Sequence, residues 1–125
     1  MSKSDKKILI VEDDEDFIYI IQNKFASAGL ALITAKDGQQ GVEMNTKENP
    51  DLILSDISMP KMDGIEMAQK IRETDKDVPI IFLTNIKDVD YTKNAQTSGN
   101  FDYLIKSDTR IGEIVEKVKT KLGIE

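Results

Sequence analysis

Five short apolar runs alternate along the chain with segments whose apolar residues recur at helical spacing. The runs lie at residues 8–11, 30–35, 52–54 with Ile57, 78–83 and 101–105. Short runs of this kind, bounded by turn residues, indicate strands that are buried on both faces. Strands that alternate with helices predict a parallel sheet covered on both sides. We therefore predict one α/β domain over residues 1–125, with a doubly wound five-stranded parallel sheet in the order 2-1-3-4-5 and five helices.

The helical segments differ in the clarity of their apolar spacing. The clearest stripe belongs to the last helix and consists of Ile111, Ile114, Val115, Val118 and Leu122. The second helix, at about 39–47, and the fourth, at about 89–97, contain few apolar positions. We expect the fourth helix to pack loosely for this reason, and Gly99 to end it.

The stretch 51–64, DLILSDISMPKMDG, joins a buried strand to a sharply turning loop. Asp56 stands where the apolar run ends, and the pairs Met59-Pro60 and Asp63-Gly64 favour turns. In an open parallel sheet, ligands bind outside the carboxyl ends of the strands, so Asp56 is expected to face a site. Taken alone, Asp56 is better explained as a turn residue that bonds to nearby backbone amides.

Polar residues follow three further strands at the same predicted edge of the sheet. Glu12 and Asp13 leave the first strand, Thr84 ends the fourth and Lys106 follows the fifth. The acidic run that begins at Glu12 could also be a solvated helix start, where negative charge is favourable. Carboxylates from neighbouring strands beside a lysine are harder to explain by structure alone. Their oxygen atoms suit Mg²⁺, which usually takes one or two carboxylates, waters and phosphate oxygens.

This arrangement gives Asp56 a second possible role, as a carboxylate nucleophile that forms an aspartyl phosphate. A metal ion and Lys106 would neutralise charge on the transferring phosphoryl group. Thr84 could donate a hydroxyl hydrogen bond to the same group.

Composition excludes several other kinds of chemistry. The net charge of −6 argues against non-specific binding to nucleic acid or to an anionic membrane. The chain has no cysteine, which excludes disulfides and thiolate metal sites, and no histidine, which excludes an imidazole base or ligand. No apolar stretch approaches the roughly 18 residues that span a bilayer, so we expect a cytoplasmic protein without membrane insertion.

At these residues the sequence resembles the receiver domains of two-component response regulators. The resemblance rests on four segments in order, ILIVEDD, LILSDISMPKMDG, FLTN and YLIKS, and spans essentially the whole chain. It implies that Asp56 is the phosphoacceptor and that Asp13 and Asp56 bind Mg²⁺ directly. It also implies that the backbone carbonyl of Ser58 is the third protein ligand, while Glu12 holds metal-bound water.

The resemblance further implies a switch and a set of partners. Thr84 and Lys106 would contact the phosphoryl group, and Tyr103 occupies the position of the switch aromatic. A sensor histidine kinase or a phosphotransfer protein would supply the phosphoryl group from its own histidine. Transfer would change the surface of the fourth helix, fifth strand and fifth helix, which a downstream protein reads. The domain would be no enzyme in its own right, would not contact nucleic acid directly, and would be a monomer or a weak phosphorylation-dependent dimer.

One position departs from the family pattern. Family members usually follow the lysine with a proline in a cis peptide bond, whereas Ser107 follows Lys106 here. A cis bond costs roughly 3 kcal/mol before a non-proline residue, against about 0.5–1 kcal/mol before proline. The loop after the fifth strand, and with it the placement of Lys106, is therefore the part of the site that the resemblance does not define.

Three other classes of protein share parts of this pattern. An aspartate-dependent phosphohydrolase also forms an acyl phosphate, but its family has a second aspartate where this chain has Ser58. A flavodoxin-like nucleotide binder needs a Gly/Ser/Thr-rich loop after the first strand, where this chain has Glu12 and two aspartates. An interaction module could keep the fold without the chemistry, although the intact set of acids, Thr84 and Lys106 argues against it.

Overall fold

A computed structural model describes residues 6–94 and 101–124 and contains a five-stranded parallel sheet. The strands are β1 Lys7–Val11, β2 Ala31–Ala35, β3 Leu52–Asp56, β4 Ile80–Thr84 and β5 Phe101–Ile105. Their order in the sheet is β2-β1-β3-β4-β5, and every neighbouring pair is parallel. The predicted fold class and strand order are confirmed.

The strands alternate with five α-helices. These are α1 Glu15–Ser27, α2 Gly38–Glu48, α3 Gly64–Arg72, α4 Val89–Lys93 and α5 Ile111–Leu122. Residues of α1 and α5 pack in the hydrophobic cluster on one face of the sheet, and residues of α2 and α3 pack in the cluster on the other. None of the helices in the described part of the chain is long and apolar enough to cross a membrane.

The central strand β3 explains why the middle of the sequence reads as a continuous apolar run. All five of its residues are buried. Leu52 and Leu54 belong to the cluster on one face of the sheet, while Ile53 belongs to the cluster on the other, as the alternation of side chains along a strand requires. A strand covered on both faces holds its last residue, Asp56, at a fixed point on the edge of the sheet.

Two strands begin later than their apolar runs suggest. The strand β4 begins at Ile80 because Pro79 has no N–H to donate to the sheet. The strand β2 begins at Ala31 because the Leu30 amide bonds back to the Phe25 carbonyl at 3.0 Å and closes the end of α1.

The fourth helix begins at Val89, as predicted. A 3₁₀ turn over Ile86–Asp88 precedes α4, and Thr92 is the buried residue of this short helix. Residues 95–97 of the predicted helix and its predicted stop at Gly99 lie outside the described residues. The sparse apolar pattern is thus matched by a helix that contributes little to either hydrophobic cluster.

Candidate functional site

The loop after β1 places one buried and one exposed carboxylate at the edge of the sheet. Glu12 is 1% exposed, and its amide bonds to the Ala35 carbonyl at 3.0 Å, which continues the pairing with β2. Its Oε2 accepts a hydrogen bond from the Asp14 amide at 3.1 Å. Asp13, between these residues, is exposed.

Asp56 is held firmly at the end of β3. It is 7% exposed, and its Oδ1 accepts a hydrogen bond from the Ile57 amide at 2.8 Å. The chain then turns back, since the Gly64 amide bonds to the Ile57 carbonyl at 2.8 Å. Ser58 lies exposed in this loop, and its backbone N–H faces the Asp56 carboxylate.

The carboxylates of Glu12, Asp13 and Asp56 converge, with ligand oxygens that lie within 4.8 Å of one another. Lys106 joins them from the end of β5: its Nζ is 2.9 Å from Glu12 Oε1 and 3.7 Å from Asp56 Oδ2. The structure therefore brings together four of the side chains that the sequence placed at one edge.

Burial dominates the electrostatics of this cluster. It raises the pKa of Asp56 and of Glu12 above the ordinary range, and the nearby Lys106 ammonium only partly offsets it. Burial acts on Lys106 in the opposite direction, but the hydrogen bond to Glu12 and the charge of Asp56 outweigh it and raise the Lys106 pKa. Buried carboxylates with one neighbouring cation are a site that an added positive charge would stabilise.

Lys106 begins a 3₁₀ turn that ends at Asp108, and the bond between Lys106 and Ser107 is trans. Its ammonium lies 4.2 Å from the centroid of the Phe17 ring. The sequence pattern alone did not place Phe17 at the site. Its position three residues after Asp14, whose carboxylate caps α1, was the available signal.

The two predicted switch residues lie farther along the same edge. Thr84 ends β4, is fully buried, and has its hydroxyl 3.1 Å from the Thr92 hydroxyl and 3.2 Å from the Asn85 carbonyl. Tyr103 lies in β5, half-buried, next to Phe82 in the register of the sheet. In this structure the Thr84 hydroxyl is thus engaged with α4.

A parallel sheet of this order, with an acidic cluster and a lysine at the carboxyl ends of its strands, defines a class of phosphoryl-handling α/β domains. The sequence matches the response regulator receiver domain over residues 8–119. The chain belongs to that family and is a receiver domain of the kind that two-component response regulators contain.

Its relatives are longer proteins. The chain is 37% identical over 102 residues to the alkaline phosphatase synthesis transcriptional regulatory protein PhoP of Bacillus subtilis, and covers 42% of it. It is 33% identical over 116 residues to the transcriptional regulatory protein PrrA of Mycobacterium tuberculosis, and covers 49% of it. These matches span 81% and 93% of this chain. The chain therefore corresponds to less than half the length of either relative.

Solved receiver domains have the same fold. A receiver domain of a Francisella response regulator superposes with a TM-score of 0.84 at 28% identity, covering 95% of this chain and 98% of that one. The receiver domain of a Pseudomonas aeruginosa sensor histidine kinase superposes with a TM-score of 0.84 at 29% identity, covering 96% of this chain and 99% of that one. The latter structure has a magnesium ion coordinated in its active-site cleft.

Proposed function

We propose that this receiver domain accepts a phosphoryl group on Asp56 from the phosphohistidine of a sensor kinase or phosphotransfer protein, in a Mg²⁺-dependent reaction. The observation that carries the proposal is the convergence of three carboxylates with Lys106 at the end of β3. A phosphohistidine donor would lie outside the sequence described here, which contains no histidine.

The donor set fits Mg²⁺. Its oxygen ligands are close enough to share one ion, and hard oxygen ligands are those that Mg²⁺ prefers. Asp13 and Asp56 would bind the ion directly, together with the Ser58 carbonyl. Glu12 would act through metal-bound water, since its two oxygens already bond to Lys106 and to the Asp14 amide. The ion, when bound, supplies positive charge beside the transferring phosphoryl group.

The side chains of this chain perform the rest of the transfer. An Asp56 carboxylate oxygen attacks phosphorus, an O–P bond forms, and the P–N bond to the partner's imidazole breaks with its electron pair left on nitrogen. The Ile57 and Ser58 amides hold the Asp56 carboxylate in place. Lys106 stabilises negative charge on the phosphoryl oxygens, because its ammonium already lies beside Asp56.

Thr84 links this chemistry to the surface. Contact between its hydroxyl and the phosphoryl group would withdraw that hydroxyl from Thr92 and so release α4. We expect Tyr103 to repack in response, and α4, β5 and α5 to form the surface that changes. A downstream protein would read this surface in a cytoplasmic signalling pathway, with the domain as a monomer or a weak phosphorylation-dependent dimer.

The test is labelling by a small-molecule phosphodonor in the presence of Mg²⁺. We expect a base-labile acyl phosphate in the wild-type protein and in the control Asp90→Asn, which changes an exposed aspartate of α4. We expect none in Asp56→Asn or after addition of a chelator. Labelling that persists in Asp56→Asn would refute the assignment. Sustained turnover of a generic phosphate ester would instead favour a phosphohydrolase.

A further inference from the structure

The aromatic ring beneath Lys106 has no role in the chemistry described above. We infer that Phe17 is a positioning residue, whose ring holds the Lys106 ammonium in place for phosphoryl transfer. This inference rests on the proposed function, because it concerns the same lysine.

Three contacts define the position of the ammonium. Lys106 Nζ lies 2.9 Å from Glu12 Oε1, 3.7 Å from Asp56 Oδ2 and 4.2 Å from the centroid of the Phe17 ring. An ammonium at this distance from a ring centroid is attracted by the ring quadrupole. The side chain of Lys106 is 21% exposed, so water screens this attraction only in part. The ring therefore attracts the ammonium from a third direction, in addition to the two carboxylates.

The start of α1 explains how Phe17 reaches this position. The Asp14 carboxylate accepts hydrogen bonds from the Asp16 and Phe17 amides at 3.0 Å and 3.2 Å and thereby fixes the first turn of the helix. Phe17 is half-buried and packs against the hydrophobic cluster that α1 and α5 share. The segment that supplies Glu12 and Asp13 thus also supplies the ring under the lysine.

Lys106 needs such a support because its own loop constrains it little. A lysine side chain has four flexible methylene groups, and its ammonium can donate hydrogen bonds in several directions. The residues that follow it, Ser107 and Asp108, are exposed. Asp14 also attracts the ammonium from the exposed start of α1. Without the ring, we expect Lys106 to spend time away from Asp56.

Phe17 could instead serve only as a packing residue, and substitutions separate the two roles. Phe17→Leu keeps an apolar side chain but removes the ring quadrupole, whereas Phe17→Tyr keeps both. Phe25→Leu is the matched control, because Phe25 lies in the same helix, is fully buried, and belongs to the same hydrophobic cluster. A packing role predicts that both leucine variants act through stability alone.

The first measurement is the affinity for beryllofluoride with saturating Mg²⁺, by calorimetry, at a temperature where every variant is folded. We expect Phe17→Leu to bind about three- to tenfold more weakly, and Phe17→Tyr and Phe25→Leu to bind within about twofold of wild type. In a Lys106→Met background, Phe17→Leu should cause no further loss, because the ring would act through the lysine. An unchanged affinity in Phe17→Leu, or the same loss in the Lys106→Met background, would overturn the inference.

The second measurement needs no metal and no phosphoryl analogue. Because Lys106 Nζ lies over the Phe17 ring, the ring current should shift the protons of the adjoining ε-methylene group. This shift should be lost in Phe17→Leu and kept in Phe17→Tyr. An unshifted Lys106 in the wild-type protein would overturn the inference and leave the proposed function standing. A wild-type protein that does not bind beryllofluoride would overturn the proposed function, and this inference with it.

Discussion

The hydroxyl oxygens of Thr84 and Thr92 lie 3.1 Å apart in a buried contact between β4 and α4. Thr92 also donates to the Asp88 carbonyl at 2.8 Å, which uses its only hydroxyl hydrogen. The hydrogen in the contact therefore comes from Thr84, which can alternatively donate to the Asn85 carbonyl at 3.2 Å. A phosphoryl group on Asp56 competes for this hydrogen, so Thr92 favours the resting position of Thr84.

We predict that Thr92→Val makes the domain easier to activate. Valine has a similar shape but cannot accept the Thr84 hydrogen, so recruitment of Thr84 no longer breaks that bond. A net hydrogen bond contributes about 0.5–1.5 kcal/mol, which corresponds to an affinity for beryllofluoride up to about tenfold higher. Calorimetry in the presence of Mg²⁺ measures this affinity.

The control for this experiment is Thr46→Val. Thr46 also donates to the carbonyl four residues earlier in its helix, but it lies exposed on α2 and away from Thr84. It should leave beryllofluoride affinity unchanged. If Thr92→Val binds beryllofluoride no more tightly than Thr46→Val does, Thr92 does not restrain the switch.

A second prediction concerns the glycine that follows the phosphoacceptor loop. A Cβ at Gly64 would lie 2.3 Å from the Asp56 carbonyl oxygen, a backbone atom that cannot move without shifting the site. We expect Gly64→Ala to lower the free energy of unfolding by about 1–3 kcal/mol. Gly112→Ala, in α5, is the control: its nearest neighbour is Lys24 Cε at 3.9 Å, so it should raise stability by about 0.5–1 kcal/mol.

Chemical denaturation of the two variants provides the measurement. Beryllofluoride affinity should fall with stability in Gly64→Ala only, because only that substitution displaces the backbone of Asp56. Equal stability of Gly64→Ala and wild type would mean that the loop relaxes freely and does not fix the phosphoacceptor.

The sequence was sufficient to predict the arrangement that depends on strand topology. The apolar run of β3 required a strand covered on both faces, and parallel strands bring Glu12 and Asp56 to one edge of the sheet. Side-chain contacts between distant segments have no such periodic signal. The ring of Phe17 under Lys106 and the contact of Thr84 with Thr92 therefore came only from the structure. The 3₁₀ turn before α4 also came only from the structure, because few apolar residues mark this segment of the sequence.

A third prediction concerns the contact between α4 and the start of α3. The Tyr91 hydroxyl donates to Asp63 Oδ2 at 2.9 Å, while Asp63 Oδ1 caps α3 through the Glu66 amide at 2.8 Å. Tyr91→Phe should lower the free energy of unfolding by about 0.5–1 kcal/mol, a small value because the side chain is 46% exposed. Amide exchange in α4 should quicken. Tyr19→Phe, at a 68% exposed residue of α1, is the control and should change neither quantity.

The same contact predicts an alkaline titration. Burial, followed by the hydrogen bond to Asp63, raises the pKa of Tyr91 to about 12. Because the folded-state pKa is raised, the contribution to stability is fully present below the ordinary tyrosine range of about 10 and is lost as pH rises toward 12. Tyrosinate absorbance can follow the deprotonation of Tyr91. Asp63→Asn should lower the pKa of Tyr91. A Tyr91 that titrates in the ordinary tyrosine range of about 10 would show that the hydrogen bond does not persist in solution.

The last prediction joins stability, pH and metal at the acidic cluster. Burial raises the pKa of Asp56 in the folded protein. Above this folded-state pKa, the buried carboxylate therefore lowers the free energy of unfolding. This loss of stability disappears as pH falls through the folded-state pKa toward the ordinary aspartate range. In chelator, Asp56→Asn should therefore melt above wild type near neutral pH, and the difference should shrink as pH falls. Asp13→Asn removes an exposed charge and should change the metal-free melting temperature much less.

Added Mg²⁺ should reverse the order of the variants. An ion that binds only the folded protein adds about 2.7 kcal/mol at about a hundredfold excess over its Kd, and this gain needs both aspartates as ligands. Wild type should thus gain the most from Mg²⁺, while Asp13→Asn and Asp56→Asn should lose most of the response. Melts at several pH values, with chelator and with Mg²⁺, test both parts. If metal-free Asp56→Asn melts below wild type, attraction of the carboxylate to Lys106 outweighs the cost of burying it. If either variant keeps the full Mg²⁺ response, the metal binds elsewhere.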